Sequence, residues 1–318
     1  MRRALVTGAS GHLGSRLVRK LSQEGWAVFA LSSRNSFSGL PSVSHIPHKW
    51  EGELTVDLPE VDVVFHLAAQ TSAYKARENV AVDISTNLIS TVKLLEKIAD
   101  TRAKPVFVFT GSMTEYGMTF EDTIDERVPL KPETFYECAK IATEIYAEQY
   151  MREGYLSKSI TLRLSNIYGA ISMEQRADRG FLDRSLANAL VGETLTYFGS
   201  GDYIRDFVHV DDVISALIST ANCAKDLKLN AYNVGTGRGT TIKEALRTVA
   251  IEAQSLTGVP VNISHSEFPA TAYEIERRNS IVNADAFRAE TDWKPTTFFE
   301  EGVRRTLADS YEQVKRNL

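Results

Sequence analysis

The sequence predicts an α/β fold, a doubly wound parallel sheet with a smaller, mainly C-terminal lobe, on three observations. Over the first 165 residues short β-branched runs alternate with helical patterns, the order that βαβ units produce. The runs are apolar along nearly their whole length, as strands covered by helices on both faces require. A glycine-spaced turn joins the first run to the first helical pattern.

Strands are expected at Ala4–Thr7, Ala27–Leu31, Val63–Leu67, Val106–Thr110 and Ser159–Leu164, with helices at roughly 12–24, 79–99 and 133–153 between them. After Asn166 the pattern loosens. Residues 180–191 read as a helix, 195–198 as a strand, 211–221 as a helix, Ala231–Val234 as a strand and Ile242–Ala253 as a helix. Residues 1–165, with about 206–236 returning to the main sheet, are expected to form one domain. About 166–205 and 237–318 are expected to form the smaller lobe over its cleft.

With 43% hydrophobic and 24% charged residues, the 318-residue chain has an ordinary soluble composition. Its net charge of −5 gives no broad attraction to nucleic acid or anionic membrane, so an anionic ligand must be held by local positive groups. Cys138 and Cys223 cannot build a disulfide framework and suit a reducing compartment. Arg2 and Arg3 precede only Ala4-Leu5-Val6 before Thr7-Gly8, too few apolar residues for a signal-peptide core. Apolar stretches such as Val61–Ala69 fall far short of the ~20 residues that cross a bilayer. A cytoplasmic protein is expected. The histidines and cysteines show neither H-E-x-x-H nor C-x-x-C spacing, so no metal is expected, and His66 and His209 read as packed histidines beside the cleft.

The turn is Gly8-Ala9-Ser10-Gly11-His12-Leu13-Gly14. Gly8 permits the tight bend, Gly11 lets backbone approach a pyrophosphate, and Gly14 allows helix to pack on strand. Amides at the helix start then face the phosphates. Its place right after the first strand makes a Rossmann-type dinucleotide site the expected reading, with the spacing G-x-x-G-x-x-G in place of G-x-G-x-x-G. The end of the second strand selects the cofactor: a carboxylate binds a ribose 2′-hydroxyl, whereas an arginine accommodates a 2′-phosphate. Here Ser32-Ser33-Arg34 offers hydroxyls and a guanidinium, which favours NADP(H) over NAD(H).

Tyr136 and Lys140 lie four apart in a helical stretch, hence on one face. A phenol of pKa ~10 is a poor acid–base at neutral pH, and a neighbouring ammonium is expected to lower that value. Lys140 is also within reach of a nicotinamide ribose. Ser112 follows the run Val106–Thr110, at the strand end where open α/β sheets bind ligands, and can hold the oxygen that Tyr136 protonates. Cys138, two residues from each, points off their face and reads as structural.

These pieces occur in a recognisable order with His66-Leu67-Ala68-Ala69, Tyr116-Gly117, Asn166-Ile167-Tyr168-Gly169 and Arg205-Asp206-Phe207-Val208-His209-Val210-Asp211-Asp212. Together they resemble the extended short-chain dehydrogenases/reductases, a group of nucleotide-sugar epimerases, dehydratases and ketoreductases, over nearly the whole chain. The resemblance implies that Leu67, Ala68 and Ala69 line the cofactor. It implies that Glu53-Leu54 sits beside adenine and that the helix region at Asn87 touches cofactor. It makes Asn166 and Arg205 contacts to a nucleotide-sugar diphosphate, with Arg278 or Arg277 as a further phosphate ligand. It also implies a homodimer through the helices near 79–99 and 133–153. The loop Gly235-Thr236-Gly237-Arg238-Gly239 becomes a strand–helix connection with no site.

Met113 and Thr114 follow Ser112 on the substrate side, where dehydratases of this group carry an acid and a base; Glu115 comes one position late. Methionine transfers no proton and threonine is a poor acid or base, which leaves hydride chemistry at one carbon. Two enzyme readings stay open, a C4 ketoreductase using NADPH and a 4-epimerase with tightly held NAD. A non-catalytic NADP(H) sensor would lack the tyrosine–lysine pair, and a reductase of non-sugar ketones would not need Asn166 and Arg205.

Overall fold

The computed structural model describes residues 1–50, 54–119, 121, 123–169 and 180–316. Its centre is a seven-stranded parallel sheet. The strands are β1 (Arg3–Thr7), β2 (Ala27–Ser32), β3 (Val43–Pro47), β4 (Val63–His66), β5 (Val106–Ser112), β6 (Lys158–Leu164) and, out of numerical run, β10 (Ala231–Val234). Their order is β10-β6-β5-β4-β1-β2-β3. The chain leaves β1 toward β2 and β3, then crosses back to lay β4 on the other side of β1. This reversal makes a crevice at the carboxyl ends of β1 and β4, where doubly wound sheets take their ligands. The expected α/β class therefore holds.

Helices bury both faces of the sheet. On one side α1 (His12–Gln23) and α7 (Val210–Cys223) cover Ala4, Val6, Val28 and Val63, with Phe287 of α9 (Asp285–Thr291) and Trp293 completing the layer. On the other, Leu94, Leu95 and Ile98 of α4 (Ser90–Ala99) and Ala147 of α5 (Phe135–Arg152) pack on Leu5, Val64, Phe107 and Phe109. Because β1 is covered on both faces, Ala4, Leu5 and Val6 in succession are all fully buried.

The helix expected over 79–99 is interrupted. After α2 (Ala73–Glu78) and α3 (Val80–Ile84), residues Ser85–Ile89 widen into a π turn before α4 begins. Such turns disrupt the regular ladder and recur at functional sites.

A separate core gathers Leu182 and Leu186 of α6 (Phe181–Leu190), Leu195 of β8 (Leu195–Phe198), Leu246 and Val249 of α8 (Ile242–Thr257) and Val303 of α10 (Phe299–Arg316). Two small sheets frame it. Strand β9 (Ile204–His209) lies between β7 (Asn166–Tyr168) and β11 (Gly239–Thr241), and β8 pairs with β12 (Ile263–Ser266). Helix α8 starts on a capping box, Thr241 with Glu244, and ends at Gly258 with φ +74°, the left-handed stop that glycine favours. Among the described residues no helix is long and apolar enough to cross a membrane.

Candidate active site

The glycine turn is set by contacts that leave no room for side chains. Gly8 has φ +63°, and a Cβ there would meet the Ala68 nitrogen at 2.8 Å; one on Gly14 would lie 2.2 Å from the Gly8 carbonyl. Gly8 thus brings the first turn against the loop after β4, and Gly14 seats α1 on the turn. Gly11, the N-cap of α1, supplies no side-chain cap, and no acidic residue stands in the first turn. A helix start of that kind suits a pyrophosphate. His12 faces α6, its Nδ1 3.5 Å from an Asp183 carboxylate oxygen, and Leu13 packs against the core.

Two hydroxyl-bearing residues that sequence reasoning missed brace the end of β4 and the loop after it. Thr7, buried at the end of β1, accepts the N–H groups of Leu67 and Ala68, each at 3.2 Å. Its Oγ1 also lies 2.8 Å from His66 Nδ1, while His66 Nε2 lies 2.9 Å from Thr91 Oγ1. Burial, with Lys140 nearby, presses the His66 pKa down to about 3, so the ring is neutral and packed, as expected. Asn87 does not turn its amide to the crevice. Its Nδ2 donates to the Gln70 carbonyl at 3.0 Å and to Asp83 at 2.8 Å, and its Oδ1 accepts the Gln70 N–H at 2.8 Å. With both donors committed it holds the loop that carries Leu67, Ala68 and Ala69. A polar Asp83/Asn87 pair inside a helical pattern was the available signal.

Ser33 and Arg34 are exposed at the end of β2. Leu54 is buried beside Leu5 and Leu31; Glu53 lies outside the described residues.

Ser112 is the last residue of β5, half-buried, with its Oγ 2.9 Å from Thr114 Oγ1. Lys140 is buried on α5, donates to the Thr110 carbonyl at 2.8 Å, and lies 5.8 Å from the centre of the Tyr136 ring. Burial presses its pKa down to about 8, against the pull of Glu115 and Asp83. The expected lowering of the Tyr136 pKa is corrected by these surroundings. Burial, then Glu115, Glu137 and Asp83, push the phenol up, while the ammonium donates to the Thr110 backbone carbonyl.

Two further expectations, for Met113 and Cys138, change in detail. Met113 is 2% exposed, buried with Tyr116, Ile124 and Val282, so its side chain packs rather than lining the cleft. Cys138 is exposed and holds no core together. Arg205 is bound neither to Asp206, which accepts from Thr236 and Gly237, nor to Asp211, which pairs with Arg305. Its guanidinium donates instead to the carbonyls of Ile204, Glu276 and Arg278.

Arg278 turns inward as well. It is 7% exposed and Arg205 5%. Arg278 Nη1 donates to the Ile275 carbonyl at 2.7 Å, Nη2 reaches only the Met113 sulfur at 3.9 Å, and Nε has no hydrogen-bond partner. Arg277 turns outward over the Phe268 ring and pairs with Glu274. Burial, then repulsion from Arg278, presses the Arg205 pKa down to about 9. Among the described residues neither buried guanidinium forms an ion pair; Glu276 and Glu137 act on them only at longer range. Asn166, half-buried, opens β7 beside Phe207.

Comparison with known proteins converges on one family. The family model described as the NAD dependent epimerase/dehydratase family matches residues 4–235. UDP-glucose 4-epimerase of Mycolicibacterium smegmatis is 29% identical over 96% of this chain and 97% of its own length. Among solved structures, UDP-glucose 4-epimerase of Thermotoga maritima with UDP-glucose superposes with a TM-score of 0.85 at 29% identity, covering 98% of this chain and 99% of that one. MoeE5 in complex with UDP-glucose and NAD superposes with a TM-score of 0.83 at 25% identity, covering 98% and 99%.

Proposed function

The chain belongs to the NAD dependent epimerase/dehydratase family, and from that premise we propose that it moves hydride at one carbon of a nucleotide-linked sugar, as a 4-epimerase. The observation that carries this reading is the pair of buried guanidiniums. Two cations so desolvated, repelling one another and lacking an ion-paired carboxylate, are costly unless an anion joins them. A diphosphate supplies that anion and pairs with each fork. Similarity to UDP-glucose 4-epimerases along nearly the full length supports the sugar and the reaction.

A nicotinamide dinucleotide, when bound, would accept and return the hydride. The glycine turn and the Leu67–Ala69 loop would hold its phosphates and ribose, with Leu54, and Glu53 by resemblance, beside adenine. Residues 1–165 with about 206–236 would carry the cofactor, and the remainder the substrate. Ser112 would hold the sugar oxygen, Tyr136 would exchange its proton, Lys140 would keep the ribose and the phenol in register, Thr114 would line the sugar, and Asn166 would contact the diphosphate.

One alternative has its own support. A 4-ketoreductase using NADPH fits the end of β2, where Arg34 is exposed and no carboxylate waits for a ribose hydroxyl. A phenol held protonated also suits delivery of a proton to a keto oxygen. We further infer a homodimer in a reducing, cytoplasmic setting. Exposed Val82, Ile84 and Ile89 beside Ile145 and Tyr146 of α5 support the dimer, and two free thiols support the setting.

The test is to identify the dinucleotide retained on purification and to offer UDP-glucose with NAD+. Retained NAD and formation of UDP-galactose are expected. Exchangeable NADPH with reduction of a 4-keto sugar would install the ketoreductase instead. Failure to bind any of UDP, dTDP, CDP and GDP would reject the nucleotide-sugar reading.

A further inference from the structure

Beneath Ser112 lies a carboxylate that none of the roles above employs. Glu115 is fully buried, one turn past the end of β5. Its Oε1 accepts the Ser112 backbone N–H at 2.6 Å, and its Oε2, which makes no hydrogen bond, lies 3.5 Å from Arg163 Nε on β6. Lys140 holds the carbonyl of Thr110 on the other side of Gly111. The two peptide groups flanking Gly111 are therefore pinned from opposite sides, one by a carboxyl oxygen and one by an amine. Gly111 is what admits the arrangement, since a Cβ there would stand 2.9 Å from Glu115 Oε1 and 2.8 Å from a Thr161 methyl.

We propose that Glu115 is a positioning residue: it fixes the strand end that presents Ser112 and, when ionised, supports the Lys140 ammonium. The inference rests on the hydride-transfer reading of this site. The groups that face the pair come from four elements. Arg163 on β6 reaches Glu115 and is itself held by Glu144 of α5, with Nη2 to Oε1 at 2.5 Å. Tyr136 lies on α5, Asp83 on α3 and His66 on β4. Burial, with Glu144 nearby, pushes the Glu115 pKa up to about 8, the same range to which burial lowers Lys140. The carboxylate therefore forms over the same pH range in which burial would strip Lys140 of its proton, and removing it makes Lys140 lose that proton at lower pH.

Two substitutions separate reach from charge. Glu115→Gln keeps the acceptor on Ser112 and deletes the charge. Its alkaline limb of kcat should move down by about one pH unit or more, with KM near wild type. Glu115→Asp keeps the charge and withdraws the oxygen from Ser112. Its kcat should fall about 10²-fold, the size of a 1 Å misplacement, with the limbs in place. Hydrogen exchange at the Ser112 amide should accelerate in the aspartate variant and hardly change in the glutamine one. That readout needs no turnover, so a wild-type enzyme inert toward nucleotide sugars would sink the functional reading while leaving it available. Glu144→Gln, which disturbs the same arginine without touching β5, should leave the alkaline limb where it was. An unmoved limb in Glu115→Gln, equal movement in Glu144→Gln, or an unchanged Ser112 amide in Glu115→Asp each overturns the proposal.

Discussion

Replacing Arg278 with methionine should make the free protein more stable and the nucleotide complex much weaker. Methionine keeps the aliphatic stem beside Met113 and removes a guanidinium that is 7% exposed. That group leaves Nε without a partner and has its strongest neutral contact in one carbonyl, at 2.7 Å from Nη1. A buried donor left unsatisfied costs ~1–3 kcal/mol, and repulsion toward Arg205 adds to it. Against this stand the lost bond to Ile275 and the longer-range attraction of Glu276 and Glu137. The net expectation is a gain of ~1 kcal/mol, or a Tm rise of about 2 °C in a chain this large. Losing a buried charged contact to the ligand costs ~2–5 kcal/mol, so UDP should bind about 30-fold to several thousandfold more weakly. Calorimetric melting of the free protein gives the first quantity, and a UDP titration gives the second. A lower Tm together with unchanged UDP affinity would refute the reasoning, because Arg278 would then be a strut for the Ile275 turn.

Three other perturbations follow from the same geometry. Tyr136→Phe should reduce turnover by about 10³-fold while dinucleotide affinity stays within a factor of two or so, measured by single-turnover kinetics and cofactor titration. Arg34→Asp should move the NADP-to-NAD preference roughly tenfold toward NAD; an unchanged ratio would make Arg34 a bystander. His66 is an acid-sensitive group: burial holds its pKa at about 3 against 6.5 unfolded, so the unfolded chain takes the proton first as pH falls. Stability should drop by ~2–3 kcal/mol between pH 6.5 and 4.5. Urea melts of wild type and His66→Asn should differ in that slope, and parallel slopes would contradict the buried neutral ring.

What was legible in the sequence was what burial on two faces imposes. The strand runs at Ala4, Ala27, Val63, Val106 and Ser159 stand out because most of their residues are buried under helices on both faces. Strand β3 escaped because it is an edge reading Val-Ser-His-Ile-Pro, only half-covered, and so carries no such signature. The break at Ser85–Ile89 escaped because the contacts that hold it, from Asn87 to Gln70 and from Thr143 to the Asn87 carbonyl, come from outside the helix. In the site, Tyr136 and Lys140 were singled out by their spacing on one helix face, and Ser112 by its place at the end of a strand. Glu115 was not, since its burial depends on Arg163 far along the chain and on the missing side chain of Gly111. Arg277 and Arg278 could not be told apart by neighbouring residues; the short 3₁₀ turn Glu274–Arg277 decides which one faces inward.

The same few residues after Ser112 bear on why the reaction should stop at one carbon. Elimination of water needs one group to remove a proton from carbon and another to protonate the leaving hydroxyl, both within reach of the sugar. Of the three candidates, Met113 is buried against Tyr116 and Val282 and has no exchangeable proton. The hydroxyl of Thr114 is engaged with Ser112, and at a pKa far above neutrality it cannot trade protons at a useful rate. Glu115, the one competent acid–base by chemistry, faces away from the cleft, its oxygens turned to the Ser112 amide and to Arg163. Swinging it toward the sugar would strip Arg163 of one of two carboxylates and release the end of β5, disordering the serine proposed to hold the sugar oxygen. The buried Glu115–Arg163 contact therefore favours hydride transfer in two ways, by aligning Ser112 and by withholding the carboxylate that dehydration requires. Formation of a 4-keto-6-deoxy sugar from a nucleotide-linked glucose would refute that argument.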